Sequence, residues 1–256
     1  MENLRRLALG LEYDGTRYHG WQYQPHASSI QESLNDAISA VANESVSCIG
    51  SGRTDTGVHA SGQVVHFDSA AVRSPREWLM GINTQLPDDI NLNWIKEVGQ
   101  SFHARYSAER RAYRYVILNR PVRSALFRDR VWWLYNALDI EAMRAAAAPL
   151  IGTHDFTSFR AAGCQSKTPV RNLMRLDIER DGDFIYIHCE ANAFLHHMVR
   201  NLVGSLVAVG RGDKPAEWMQ SVLEERDRKL AGITAPAAGL TLTGIQYPKE
   251  FEIECV

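Results

Sequence analysis

The chain has 256 residues, 45% hydrophobic and 23% charged, with a formal net charge of −2. That is ordinary globular composition for one large domain or two moderate ones, and no apolar run approaches the roughly 20 residues needed to span a bilayer. The opening MENLRRLALGLEYDG has neither the apolar core nor the small-residue cleavage site of a signal peptide, and Cys48, Cys164, Cys189 and Cys255 form no CxxC pair. No disulfide framework and no zinc site are therefore expected, and the reducing cytosol is the expected compartment.

In chain order, Leu7, Leu9, Leu11 and Tyr13 alternate and predict a strand. SIQE at 29–32 reads as a capping box, and Ile30, Leu34, Ala37, Ile38 and Val41 follow at helical spacing. SVSCIG and GQVVHFD predict two strands. SPREW opens a second helix, with Ser74 as cap and Pro75 in the first turn, and Leu79, Ile82 and Leu86 on its apolar face. INLNWIKEV predicts a fourth strand. The order β-α-β-β-α-β is that of a ferredoxin-like unit.

The second half repeats this order. AYRYVILN is a strand, VWWLY an extra one, and 139–150 an alanine-rich helix. LMRLDIERDGDFIYIHCEA reads as a hairpin turning at Asp181-Gly182, 194–209 as a helix, and GLTLTGIQY as the closing strand. A helix near 215–225 is an insertion. The expected class is α+β: two tandem ferredoxin-like units, 1–105 and 106–256, with a mixed, largely antiparallel sheet.

Charge is unevenly spread. Residues 101–130 hold eight arginines against Glu109 and Asp129, and 156–176 hold Arg160, Lys167, Arg171 and Arg175 with no acid. Two basic stretches on an acidic body suit one polyanion-facing surface, or else solvated strand faces.

Several groups are candidates for chemistry. GSGRTDTGVHA at 50–60 sets Asp55 and Arg53 among small residues. Such a loop is either a tight turn or a place where another molecule approaches closely. Asp-Thr-Gly also occurs in aspartic proteases, but the chain has no second such triplet and GSGR is too polar for that family's strand. Arg200 lies in an apolar helix, where it needs a carboxylate or a wet cleft: either Glu190 holds it for the fold, or it pairs with an essential acid. His196 and His197, adjacent on that helix, point about 100° apart and make no two-histidine metal face. Tyr113 and Tyr115 share one strand face, either as core or as a stacking surface for a base.

Nine segments, in order, resemble the TruA-type tRNA pseudouridine synthases: YDGTRYHGWQ, SIQESLNDAI, GRTDTGVHA, GQVVHF, FHARYSA, YRY, DFTSFR, ANAFLHHMVRNLVGSL and GLTL. The chain departs from the family at Thr56, usually alanine, and at Tyr106, more often phenylalanine. Neither change touches a group that does chemistry. The resemblance implies the pseudouridine synthase fold, and an isomerase acting on tRNA uridines at positions thirty-eight to forty, in and beside the anticodon loop. It makes Asp55 the nucleophile, Tyr113 the aromatic on the target base, and Arg200 the partner of the Asp55 carboxylate. The resemblance further implies that Arg53 helps extrude the base, and that Arg73, the run Phe102, His103, Ala104, Arg105 and Tyr106, and the run Gly163, Cys164, Gln165, Ser166 and Lys167 touch the tRNA. A catalytic cleft between the two units is then expected, along with a homodimer, no membrane association, no cofactor and no metal. The other reading is a non-catalytic RNA-binding protein on the same scaffold, which needs the basic stretches but not Asp55.

Overall fold

The computed structural model describes residues 4–253. The chain divides into two compact units, Met1–Glu109 with Leu242–Val256, and Arg110–Thr241.

In the first unit, β1 (Arg5–Tyr13), α1 (Ile30–Ala42), β2 (Ile49–Gly50), β3 (His59–Ser69), α2 (Pro75–Gln85) and β4 (Ile90–Val98) follow in order. β1 pairs antiparallel with both β3 and β4, and β2 with β3, so the sheet runs β4-β1-β3-β2 as a ferredoxin-like unit requires. α1 buries Ile30, Leu34, Ala37, Ile38 and Ala42 and stops at Asn43, whose φ of 56° is left-handed. Ser29 caps it by accepting from Glu32 N, but Glu32 does not return the bond, so the expected box is half made. The next first-turn donors are met from the chain just upstream: Ile30 N donates to the Gly20 carbonyl and Gln31 N to that of Trp21. The complete box belongs to α2, where Ser74 and Glu77 exchange both bonds. Trp78, rather than Leu79, fills its buried face, packed edge-on against Phe67 at 5.4 Å.

In the second unit, β5 (Arg110–Asn119), β6 (Trp132–Leu134), α3 (Ile140–Ala147), β7 (Gly152–Asp155), β8 (Val170–Asp181), β9 (Phe184–Ala191), α4 (Met198–Gly210) and α5 (Trp218–Glu225) lead to β10 (Leu240–Gln246). The strands order as β5-β9-β8-β7, all antiparallel, with β6 parallel on β5. β8 and β9 form the expected hairpin, with Asp181 opposite Phe184 and Gly182 at φ 55°. α3 is shorter than expected and ends in a 3-10 turn over Ala148–Leu150.

The largest departure is the start of α4. Residues 194–197 are not helical, and His197 takes a left-handed φ of 60° just before Met198. The expected 100° separation of two helical histidines therefore does not apply: the rings of His196 and His197 lie 4.0 Å apart. Among the described residues no helix is long and apolar enough to cross a membrane. Cys48, Cys164 and Cys189 are free thiols, and Cys255 lies outside the described residues.

Candidate active site

The Asp55 loop connects β2 to β3, and its backbone is tied at nearly every residue. Ser51 N donates to the Val64 carbonyl at 2.8 Å, and Gln63 Nε2 donates to the Gly52 carbonyl at 2.9 Å. Thr54 is held on both sides: its hydroxyl bonds the Tyr13 hydroxyl at 2.9 Å, and its carbonyl accepts from Trp21 N at 3.0 Å. Val58 N donates to the Asp55 carbonyl, closing a turn in which Gly57 has φ 75°. The turn reading of this stretch is thus correct for the backbone. Asp55 is half-buried between buried Thr54 and Val58, and Arg53 is exposed.

YDGTRYHGWQ supports this loop from beneath. Gly20 has φ 92°, and a Cβ there would lie 2.6 Å from the Thr54 carbonyl oxygen. A Cβ on Gly15 would lie 2.0 Å from the Val58 carbonyl oxygen. Two glycines therefore let one backbone lie directly on another, which only that residue type permits. Gly15 N donates to His59 Nδ1, and Tyr18 donates its hydroxyl to Asp89 at 2.6 Å. Burial, then the Asp89 carboxylate, pushes the Tyr18 phenol up to about 12.

The 102–106 run divides into inside and outside. Phe102 and Ala104 are fully buried. Ala104 N donates to His66 Nδ1 at 3.1 Å, and its carbonyl accepts the Tyr247 hydroxyl at 2.6 Å. Arg6 grips Asp68 with two bonds and donates to the carbonyls of Gln100 and Phe102. His103 Nδ1 accepts from the N–H groups of both Arg105 and Tyr106. The side chains of His66, Tyr247, Arg6 and His103 thus fix a turn whose exposed residues are Arg105 and Tyr106, the latter 76% exposed and packed on the His103 ring at 4.3 Å. Arg73 is exposed at the entry to α2.

In the second unit the two tyrosines part company. Tyr115 is fully buried and donates its hydroxyl to the Pro236 carbonyl at 2.7 Å, a core role. Tyr113, two residues earlier on the same face, is half-exposed, and its ring meets Phe194 edge-on at 5.0 Å. Arg200 stands in the first turn of α4, half-buried, with Nε donating to the Ala235 carbonyl at 2.8 Å. Glu190 is engaged by Arg110 at 3.1 Å.

The 163–167 run is a loop with Gly163 at φ 78° and exposed Gln165 and Lys167. Arg160 ties it from within, donating to the carbonyls of Cys164 and Ser166. Partial burial works against the Cys164 thiolate, but the N–H groups of His196 and Ser166, with Arg160, hold the thiol below its usual range. Cys48 and Cys189 are buried, and burial pushes each thiol up to about 12. Those two are core residues.

Sequence reasoning missed Phe194, Gln63 and the Ala235 carbonyl. Gln63 had a signal, a polar residue inside an apolar strand, and it is fully buried. Phe194 sits in an irregular segment, and a backbone carbonyl has no signal in a sequence.

The sequence profile of a family described as tRNA pseudouridine synthase matches residues 11–107 and 146–248. The tRNA pseudouridine synthase A of Hydrogenovibrio crunogenus (strain DSM 25203 / XCL-2) is 52% identical over 247 residues, 96% of this chain and 94% of that protein. That of Aliivibrio salmonicida (strain LFI1238) is 52% identical over 248 residues, covering 97% and 95%. That of Paraburkholderia xenovorans (strain LB400) is 50% identical over 250 residues, covering 98% and 93%.

Proposed function

The chain belongs to the tRNA pseudouridine synthase family and is an isomerase, and from that premise we propose that it acts on the uridines at positions thirty-eight to forty of tRNA with Asp55 as nucleophile. In this reading the N1–C1′ glycosidic bond breaks, the uracil turns over, and C5 bonds to C1′. The proton displaced from C5 is matched by one gained at N1. Substrate and product are isomers, so the balance calls for no oxidant, reductant or group donor.

Each named residue has a task in that sequence. The Asp55 carboxylate supplies the anion that attacks the sugar or the ring, or assists departure of the base. The target base must leave its stack, at a cost of about a few kcal/mol. Tyr113 offsets part of this by offering an aromatic face, steadied by Phe194. Arg53, exposed beside Asp55, enters the gap that the base vacates. Arg200 serves as the partner of the Asp55 carboxylate and directs it. Arg73, Arg105, Tyr106 and the exposed residues of the 163–167 loop hold the RNA. We also assign the enzyme to the cytoplasm as a homodimer, which light scattering checks directly: about twice the chain mass supports the assignment, the single mass refutes it.

The observation that carries the reading is the Asp55 loop. A loop whose backbone is tied by Val64, Gln63 and Trp21, and whose Thr54 hydroxyl is held by Tyr13, keeps its one acid in a fixed place, as a preorganised nucleophile requires. The experiment is incubation with unmodified tRNA, followed by nucleoside analysis and mapping. Pseudouridine confined to the three anticodon-arm positions is the expected result. Pseudouridine elsewhere overturns the site assignment, and binding without any pseudouridine supports the non-catalytic reading.

A further inference from the structure

The segment 228–235, between α5 and β10, has no strand or long helix, yet it is fastened to α4 at Arg228 and from Gly232 to Ala235. Gly232 N donates to Ser205 Oγ at 2.9 Å. Thr234 Oγ1 donates to Asn201 Oδ1 at 2.7 Å. Arg228 donates to the Gly232 carbonyl at 2.9 Å, and to Asn201 Oδ1 and Thr234 Oγ1 at 3.0 Å each. Asn201 and Ser205 are fully buried on α4. A Cβ on Gly204 would lie 1.8 Å from the Ile233 carbonyl oxygen, so the segment's backbone rests on the helix itself.

At the end of this fastening lies Ala235. Its carbonyl accepts from Arg200 Nε at 2.8 Å, and its N–H donates to the Arg200 carbonyl at 3.1 Å. The two bonds clasp one residue of α4 by backbone and side chain together. A guanidinium held at Nε has its plane fixed and its two terminal nitrogens aimed in one direction. Arg228, which organises the segment, is half-buried, and the four oxygens it meets include no carboxylate. Keeping a cation on neutral oxygens is a poor way to gain stability. It does bring three parts of the chain into one register: α4, the turn at Gly232, and the Thr234 hydroxyl.

We infer that Arg228, Thr234 and Asn201 form a positioning set for Arg200, holding the Ala235 carbonyl where it directs the guanidinium. None of the three touches the uridine. They act through Arg200, and the inference rests on the role proposed for Arg200 above.

The test compares Thr234→Val, which keeps the shape and removes the hydroxyl, with Thr234→Ser, which restores it. Each is assayed on unmodified tRNA, alone and combined with Arg200→Lys. Thr234→Val is expected to lower kcat about tenfold with KM within about twofold, and Thr234→Ser to recover most of the loss. In the Arg200→Lys background Thr234→Val is expected to add little, because coupled residues are not additive. A thermal melt guards against misfolding, with Arg228→Lys as the second variant should Thr234→Val fail to fold. Full kcat in Thr234→Val with Arg200→Lys impaired overturns the inference and leaves the proposed function standing. Full kcat in Arg200→Lys overturns the role of Arg200 itself. A loss that serine does not repair, or one confined to KM, reduces the set to a structural fastening.

Discussion

Gly20 and His66 show what single residues do around the Asp55 loop and the 102–106 turn. Gly20 has φ 92°, and a Cβ there would lie 2.6 Å from the Thr54 carbonyl. Gly20→Ala is therefore expected to cost about 1–3 kcal/mol of stability and to lower kcat by shifting the Asp55 turn. Urea melts with turnover assays check this, and an unchanged kcat with a normal melt contradicts the close approach. His66 is lowered to about 4 from an ordinary 6.5, first by burial and then by His103 and Arg6. Neutral His66 accepts from Ala104 N at Nδ1, and a protonated ring cannot. Because the folded pKa is depressed, the unfolded chain binds the proton first as pH falls. The His66 contribution is complete above about 6.5 and is lost as pH falls toward about 4. His66→Asn keeps an acceptor and removes the titration, so its denaturation midpoint should decline less over that window. Equal declines in both proteins contradict the account. At this scale the sequence was partly legible. Gly57 and the turn it permits follow from local chemistry, but spacing alone left Asp55 poised between a turn and catalysis, and the catalytic assignment rests on the nine-segment resemblance. Thr234 and Arg228 lie in a loop without period and could not be read.

Element boundaries were legible where local chemistry decides them. The starts of α1 and α2 follow from Ser29 and Ser74, each of which caps its helix. The Ser74–Glu77 box is exposed and far along the chain from the groups assigned to chemistry. Ser74→Ala is expected to destabilise by about 1 kcal/mol and leave kcat unchanged. A chemical-denaturation curve checks the first part, and a change in kcat beyond twofold contradicts the second. Other boundaries were set by distant partners. The expected strand SVSCIG shrinks to Ile49–Gly50 because Val46 N and Cys48 N are taken by the side chains of Ser39 and Asn35 on α1. The apolar run before Met198 looks helical, but left-handed His197 ends that continuity. β7 is four residues, GTHD, too short and too polar to show alternation.

For the whole molecule, two repeats of one element order on a weakly acidic chain are visible in the sequence, because strand and helix periods are local. The grouping of Leu242–Val256 with the first unit depends on long-range pairing and has no local signature. The basic stretches set the expected behaviour toward RNA. Arg105 is exposed at the tip of a turn held by Arg6, His66 and His103. Replacing it with alanine should weaken binding of all tRNAs alike and reduce the log–log salt slope by about 0.7, the share of one phosphate on a single strand. An unchanged slope contradicts that contact. The central claim is that Asp55 performs the chemistry on a scaffold that binds tRNA without it. Asp55→Asn keeps the shape of the loop and removes the anion. The direct measurement is multiple-turnover pseudouridine formation by this variant beside its tRNA affinity and melting temperature. The account predicts no pseudouridine above background, with affinity and melting near those of the parent protein. Appreciable turnover in a verified Asp55→Asn preparation contradicts it.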